Sequence, residues 1–178
     1  MRWLLVFLMS SCMAFGESIR GVVINVIDGD TITLLEKTPE QKRTCRIRLE
    51  GIDTPERGQN GYEGAKEYLE NLIWGETVTV KYSQHDRYGR ILGEVWYGKV
   101  FVNEELVKDG WAWIYKKFSA SRKLASLEAE ARKSKKGLWA EPNPIPPWEW
   151  KAAKRREDAA GMFLTEQVSR ENVSFRVP

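Results

Sequence analysis

Val22-Val23-Ile24-Asn25-Val26-Ile27-Asp28-Gly29-Asp30-Thr31-Ile32-Thr33-Leu34 is the stretch from which the fold is read. Val22, Ile24 and Val26 precede the Asp28-Gly29 pair, and Ile32 and Leu34 follow it, with the period of two of a half-buried strand. Asp-Gly between two such runs is a strong hairpin signal, because these residues adopt the backbone of a tight turn at little cost. Residues 21–35 are therefore predicted to form two antiparallel strands.

Outward from that hairpin, residues 44–49 read as a third strand, with Cys45, Ile47 and Leu49 on one side and Arg46, Arg48 and Glu50 on the other. Residues 77–82 and 91–97 supply two more strands, and residues 99–102 a short last one. Between the third and fourth strands, Ala65, Leu69, Leu72 and Ile73 recur at helical spacing, which predicts a helix over 62–73. A short helix is expected over 102–107, capped by Asn103 and stopped by Gly110. A longer one is expected over 119–136, with Leu124, Leu127 and Ala131 inward and Gly137 as its stop. This order fits an α+β fold, a five-stranded OB-type β-barrel with about three packed α-helices; a generic mixed sheet is the alternative.

The chain has 178 residues, enough for one domain with extensions, and its 42% hydrophobic and 30% charged residues place it among ordinary globular proteins. The net charge of +3 is too small for a protein that coats nucleic acid by charge alone. At the N-terminus, Arg2 precedes an apolar run over residues 3–9, and Ala14 and Gly16 stand at the −3 and −1 positions of a cleavage site before Glu17. Residues 1–16 therefore read as a signal peptide of a secreted or periplasmic protein, the run being too short to span a bilayer. Met9-Ser10-Ser11-Cys12 also resembles a loose lipoprotein box, and lipidation of Cys12 is the one membrane attachment expected. Cleavage before Glu17 leaves Cys45 as the sole cysteine, so packing rather than a disulfide holds the fold. Residues 17–150 are read as the folded domain, with Pro142 to Pro147 as an extended strap whose following tryptophans cover apolar surface. Residues 151–178 are a polar tail, a frayed helix or disordered, with a basic knot at Lys154-Arg155-Arg156. Nothing in the sequence demands more than a monomer.

The chemistry concentrates in two acidic turns. Asp28 and Asp30 straddle Gly29; Asp53 follows a strand; Thr54, fixed before Pro55, presents a carbonyl oxygen beside Glu56. Oxygen donors of this kind suit a hard cation, calcium ahead of magnesium. Zinc is disfavoured, since His85 is the only histidine and the cysteines are not spaced as ligands. Arg48, beside Asp53, and Arg90, closing Asp86-Arg87-Tyr88-Gly89-Arg90, are forks that match a phosphate. Each feature alone reads as structural: a hairpin turn, a loop-to-helix entry, a surface ion pair. Together they suit a metal-dependent phosphodiesterase.

That combination resembles the staphylococcal nuclease (thermonuclease) family. The resemblance rests on Val26-Ile27-Asp28-Gly29-Asp30-Thr31, on Arg48-Leu49-Glu50-Gly51-Ile52-Asp53-Thr54-Pro55-Glu56 and on Asp86-Arg87-Tyr88-Gly89-Arg90, with further matches at Val102 to Val107, Gly110 and Gly137-Leu138-Trp139. It covers roughly residues 19–150, with the motifs in order. It implies an OB-type barrel and a calcium-dependent endonuclease that cleaves DNA and RNA to 3′-phosphates. Asp30 and Asp53 match the calcium carboxylates, Thr54 the carbonyl ligand and Asp28 an outer acidic residue near the metal. Glu56 matches the proposed general base, Arg48 and Arg90 the phosphate-binding arginines, and Tyr88 a tyrosine of the nucleotide pocket. Trp111-Ala112-Trp113-Ile114-Tyr115 lies where the family has a substrate-facing wall, which makes Tyr115 a candidate stacking residue. The alternatives are a catalytically weak module of the same fold that binds nucleic acid or protein, and an adhesion protein using the tryptophans and basic tail.

Overall fold

The computed structural model describes residues 16–39, 41–115 and 121–174, with 161–174 as helical backbone only. The apolar run of the leader, Cys12 and the expected helix start at Ser119 lie outside those residues. In chain order the elements are β1 (Glu17–Asp28), β2 (Thr31–Lys37), β3 (Lys42–Leu49), β4 (Ile52–Asp53), α1 (Tyr62–Ile73), β5 (Thr77–His85), β6 (Ile91–Tyr97), β7 (Val100–Phe101), α2 (Val102–Lys108), β8 (Trp113–Ile114), α3 (Arg122–Lys133), a 3-10 turn (Gly137–Ala140) and α4 (Pro147–Ser174).

β1 and β2 form the predicted hairpin, with Asp28 opposite Thr31. The sheet runs β3-β2-β1-β5-β6, and a parallel pairing of β3 with β6, Ile47 opposite Ile91 and Leu49 opposite Gly93, closes it into a five-stranded barrel. Closure removes the free edges that an open sheet would expose. Val23, Val26, Ile32, Leu34, Ile47, Leu49, Val80 and Val95 are buried in one core with Leu69 and Ile73 of α1 and Leu106 of α2. The α+β OB-type barrel is thus as the sequence predicts, with a fourth helix added.

Two local expectations are corrected. The inward face of β1 is Ile19, Val23 and Val26, not Val22, Ile24 and Val26: Ile24 is exposed. The register slips between Val23 and Asn25, and such a bulge moves later side chains to the opposite face. Asn103 does not cap α2, whose N-cap position belongs to Phe101. The Asn103 side chain is fully buried, accepting from the Val95 N–H at 3.0 Å and donating to the Glu50 carbonyl at 2.9 Å. It ties β6 to the β3–β4 turn. Residues 151–174 of the polar tail continue α4, the helical one of the two readings above; α4 starts at Pro147, a residue suited to a first helical turn because it has no N–H to leave unpaired.

Candidate active site

The site forms where the β1–β2 turn, the end of β3 and the loop from β4 into α1 meet at one end of the barrel. Asp30 lies in the β1–β2 turn; its carbonyl accepts from the Leu49 N–H at 2.8 Å, and its carboxylate accepts from the Thr54 N–H and hydroxyl, both at 3.0 Å. Gly29 permits this approach, since a Cβ there would stand 2.9 Å from Thr54 Oγ1 and from Ala65 Cβ of α1. Asp53 is placed differently. Its short strand pairs with β8, Asp53 opposite Trp113, and the neighbouring Ile114 N–H donates to Glu128 of α3 at 3.0 Å. A buried helix carboxylate therefore holds the strand that holds Asp53.

Arg48 links the two turns. Its Nε lies 3.0 Å from Asp30 and its Nη2 2.8 Å from Asp53, while Nη1 donates to the Leu49 and Ile52 carbonyls at 2.6 and 2.9 Å. The side chain is only 13% exposed, so Arg48 is sequestered, where the strand alternation predicts a side chain projecting over the surface. Its guanidinium serves as the counter-ion of Asp30 and Asp53, which are themselves 5% and 3% exposed. Burial works against the charge of Arg48, but these carboxylates outweigh it and hold the arginine further into its charged form. The carboxylates carry the opposite strain. Burial, then repulsion from Asp30, pushes Asp28 up to about 7 and Asp53 up to about 6, although Arg48 and Lys151 pull Asp53 down. The cluster has more negative charge than its protein cations neutralise.

Asp28, Asp30, Thr54 and Glu56 line a depression of about 110 Å³; Asp53, bonded to Arg48, is not among its lining residues. Among the described residues, no three acidic, histidine or cysteine side chains converge into a ready-made metal cage. The donors are nonetheless all oxygen and carry an excess of negative charge, which fits a hard cation that completes its shell with water and substrate oxygens. Glu56 is fixed by a residue that sequence reasoning missed. Gln59 is 7% exposed; its side-chain carbonyl accepts from the Glu56 N–H at 3.0 Å, and its amide donates to the Ile145 carbonyl of the strap at 2.5 Å. Lys151, also missed, reaches from α4 to Glu56 at 2.7 Å and to Asp53 at 3.6 Å. Burial opposes its charge, and the Glu56 and Asp53 carboxylates more than restore it. The one advance signal was the spacing of Lys151, Lys154 and Arg155, three and four residues apart, which puts them on one helical face.

Arg90 and Tyr88 lie elsewhere, lining a larger depression of about 500 Å³ with Arg43, Arg46 and Tyr82. Asp86 pins that loop, accepting from the Tyr88 and Arg90 N–H groups and from Arg90 Nε at 2.7 Å. Burial raises the Asp86 carboxyl, and these bonds reverse that and leave it below its ordinary value. Tyr88 is 69% exposed, with the guanidinium of Arg87 4.8 Å from its ring centre. The aromatic wall is corrected in large part. Ala112, Trp113 and Ile114 are buried, and Trp113 packs edge-on against Trp139 with ring centres 5.1 Å apart. Tyr115 stacks on Trp148 at 5.9 Å, so one of its faces is covered by the first turn of α4.

Residues 46–141, which span the Arg48, Asp53 and Arg90 motifs, match the family described as "Staphylococcal nuclease homologue". The chain is 42% identical over 137 residues to an "Uncharacterized endonuclease" of Escherichia coli, covering 76% of this chain and 87% of that relative. A "Micrococcal nuclease" of Shigella flexneri is 35% identical over 147 residues, covering 76% and 82%. An "Uncharacterized endonuclease" of Haemophilus influenzae is 34% identical over 173 residues, covering 97% and 92%. With its closed barrel and its acidic cluster at the barrel's end, this chain belongs to the family of staphylococcal nuclease homologues.

Proposed function

We propose that the protein is a calcium-dependent endonuclease, exported from the cell, that hydrolyses DNA and RNA to products ending in 3′-phosphate. One observation carries this reading: buried carboxylates in electrostatic excess, clamped by an arginine, at the end of a barrel whose relatives are named as nucleases. Asp30, Asp53 and the Thr54 carbonyl would hold the calcium, with Asp28 just outside them. Bound there, calcium supplies positive charge that polarises the scissile phosphodiester.

The protein groups perform the remaining work. Glu56 accepts a proton from the attacking water, helped by its position at the rim and by the Gln59 bond that fixes its backbone. The water oxygen bonds to phosphorus, the bond from phosphorus to the 5′ oxygen breaks, and that oxygen leaves with a proton, so the phosphate remains on the 3′ side. Arg48 bridges Asp30 and Asp53 and offsets their charge. Arg90, held by Asp86, presents its guanidinium beside Tyr88, where the adjoining nucleotide lies. The leader-like segment over residues 1–16 supports export. The test is incubation of the protein beginning at Glu17 with single- and double-stranded DNA and RNA in calcium, magnesium or chelator. Calcium-supported cleavage, abolished by chelator, is expected; undiminished cleavage in chelator would refute the metal role.

A further inference from the structure

The matched family region ends at residue 141, whereas the site described above is touched by a residue ten positions beyond it. Lys151 contacts Glu56 and approaches Asp53, and the face of α4 that carries it continues outward from the carboxylates. Lys154, Arg155 and Asp158 on that face, with Glu56 and Arg57 opposite, line a cleft of about 310 Å³. Four cations there meet two carboxylates. Lys154 and Arg155 are exposed, and α4 is not free to drift: Trp148 stacks on Tyr115, and the Ile145 carbonyl is held by Gln59.

We propose that this cleft is a second phosphate-binding site for a polynucleotide, taking a phosphodiester beside the one being cleaved. The proposal rests on the nuclease reading for the identity of the strand. Its physical basis is continuity. Lys151 to Arg155 rises about 6 Å along the helix, so the cations follow a polyanion away from Glu56 rather than repeat one contact. Lys151 also neutralises Glu56, which would otherwise repel a phosphate entering the cleft. The consequence is a dependence on substrate length. A strand reaching α4 is held at two phosphates, whereas a dinucleotide, with a single phosphodiester, is held only at the cleavage site.

The test compares K154A/R155A with R156A, which removes a charge from α4 outside the cleft. Labelled single strands of 20 nucleotides are titrated in chelator by fluorescence anisotropy at several salt concentrations, and cleavage of the same strand and of a dinucleotide is followed in calcium. For K154A/R155A, affinity for the 20-mer is expected to fall about tenfold. The slope of log affinity against log salt should become shallower by ~0.7 for each phosphate of the single strand that the variant no longer neutralises. KM for the 20-mer should rise by a similar factor, while the dinucleotide changes less than twofold. R156A should match the parent throughout. Equal losses on the 20-mer and the dinucleotide, or no difference from R156A, would overturn the cleft. Should the parent cleave neither substrate, the nuclease reading falls, and the anisotropy series still decides whether α4 binds a strand.

Discussion

Arg48→Met is the most informative single change, because the site's electrostatics pass through that side chain. Its guanidinium faces Asp30 at 3.0 Å and Asp53 at 2.8 Å and bonds two backbone carbonyls, all at 13% exposure. Methionine fills similar volume and carries no charge, so two carboxylates that are 5% and 3% exposed lose their common partner. Removing one member of a buried ion pair costs roughly 3–5 kcal/mol, most of it the penalty of the stranded charge. At pH 5 the part of that penalty borne by Asp53 is reduced, because burial holds its carboxyl up at about 6 and it takes up a proton. What remains is Asp30, which still loses its arginine partner, together with the loss of two hydrogen bonds to carbonyls. The assay is urea unfolding in chelator, followed by tryptophan fluorescence at pH 8 and pH 5, with parent and variant compared at each pH. A deficit of about 3–5 kcal/mol at pH 8 that is smaller at pH 5 is expected. Added calcium should recover part of the pH 8 deficit, since it replaces the missing positive charge. A variant as stable as the parent at pH 8, or an equal deficit at both pH values, would show that Arg48 is not the counter-ion of this cluster.

Four further outcomes are expected. The parent in chelator should lose stability as pH rises from about 4 to about 7 and then level off. The folded carboxyls of Asp28 and Asp53 are raised to about 7 and about 6 from 3.8, so the folded state holds protons that the unfolded chain has released; urea midpoints that climb over that interval would contradict this. Glu56→Gln should lower turnover about 10²–10⁴-fold while calcium-supported binding of a nucleotide persists in equilibrium dialysis, and near-parental cleavage would remove Glu56 from the reaction. Gln59→Leu should cost about 2–4 kcal/mol, because the Glu56 N–H and the Ile145 carbonyl both lose a buried partner, and limited proteolysis should show easier cutting in the strap before Pro147. Cleavage should favour single strands and, among duplexes, A·T-rich ones. The open face of Tyr88 can stack on any base once it is unpaired, a contact of ~1–3 kcal/mol, and a preference for stable G·C duplex in matched initial rates would show that this surface is misassigned.

The barrel was legible because its signals are local. The Asp28-Gly29 turn, the alternation in residues 44–49 and the stripe of Ala65, Leu69 and Ile73 each dictate an element without help from the rest of the chain. What escaped depended on partners distant in sequence. The bulge at Ile24 comes from pairing with β2, and an isolated strand has no reason to place Val23 and Val26 on one side. Asn103 fits the composition of a helix cap, yet the backbone groups it satisfies belong to Glu50, Gly93 and Val95. Trp113 looks like a stacking surface until Trp139, twenty-six residues later, packs against it. Within the site, Asp28, Asp30, Thr54 and Glu56 line one depression, Asp53 is bonded to Arg48 outside that lining, and Arg90 and Tyr88 line a different depression. The roles of Gln59 and Lys151 depend on the strap and α4 folding back over the acidic loop, a long-range event with no periodic signature.

The central claim is that the Asp30–Asp53–Arg48 cluster carries out internal hydrolysis of a phosphodiester. A closed circular single-stranded DNA tests it most directly, since a circle has no end for an exonuclease to attack. The circle is incubated in calcium with the parent and with Asp53→Asn, and the first linear product is recovered for analysis of its ends. The parent is expected to open the circle to a linear strand carrying a 3′-phosphate, with loss of that activity in the variant. A circle left intact by the parent, or opened equally by Asp53→Asn, would contradict the claim.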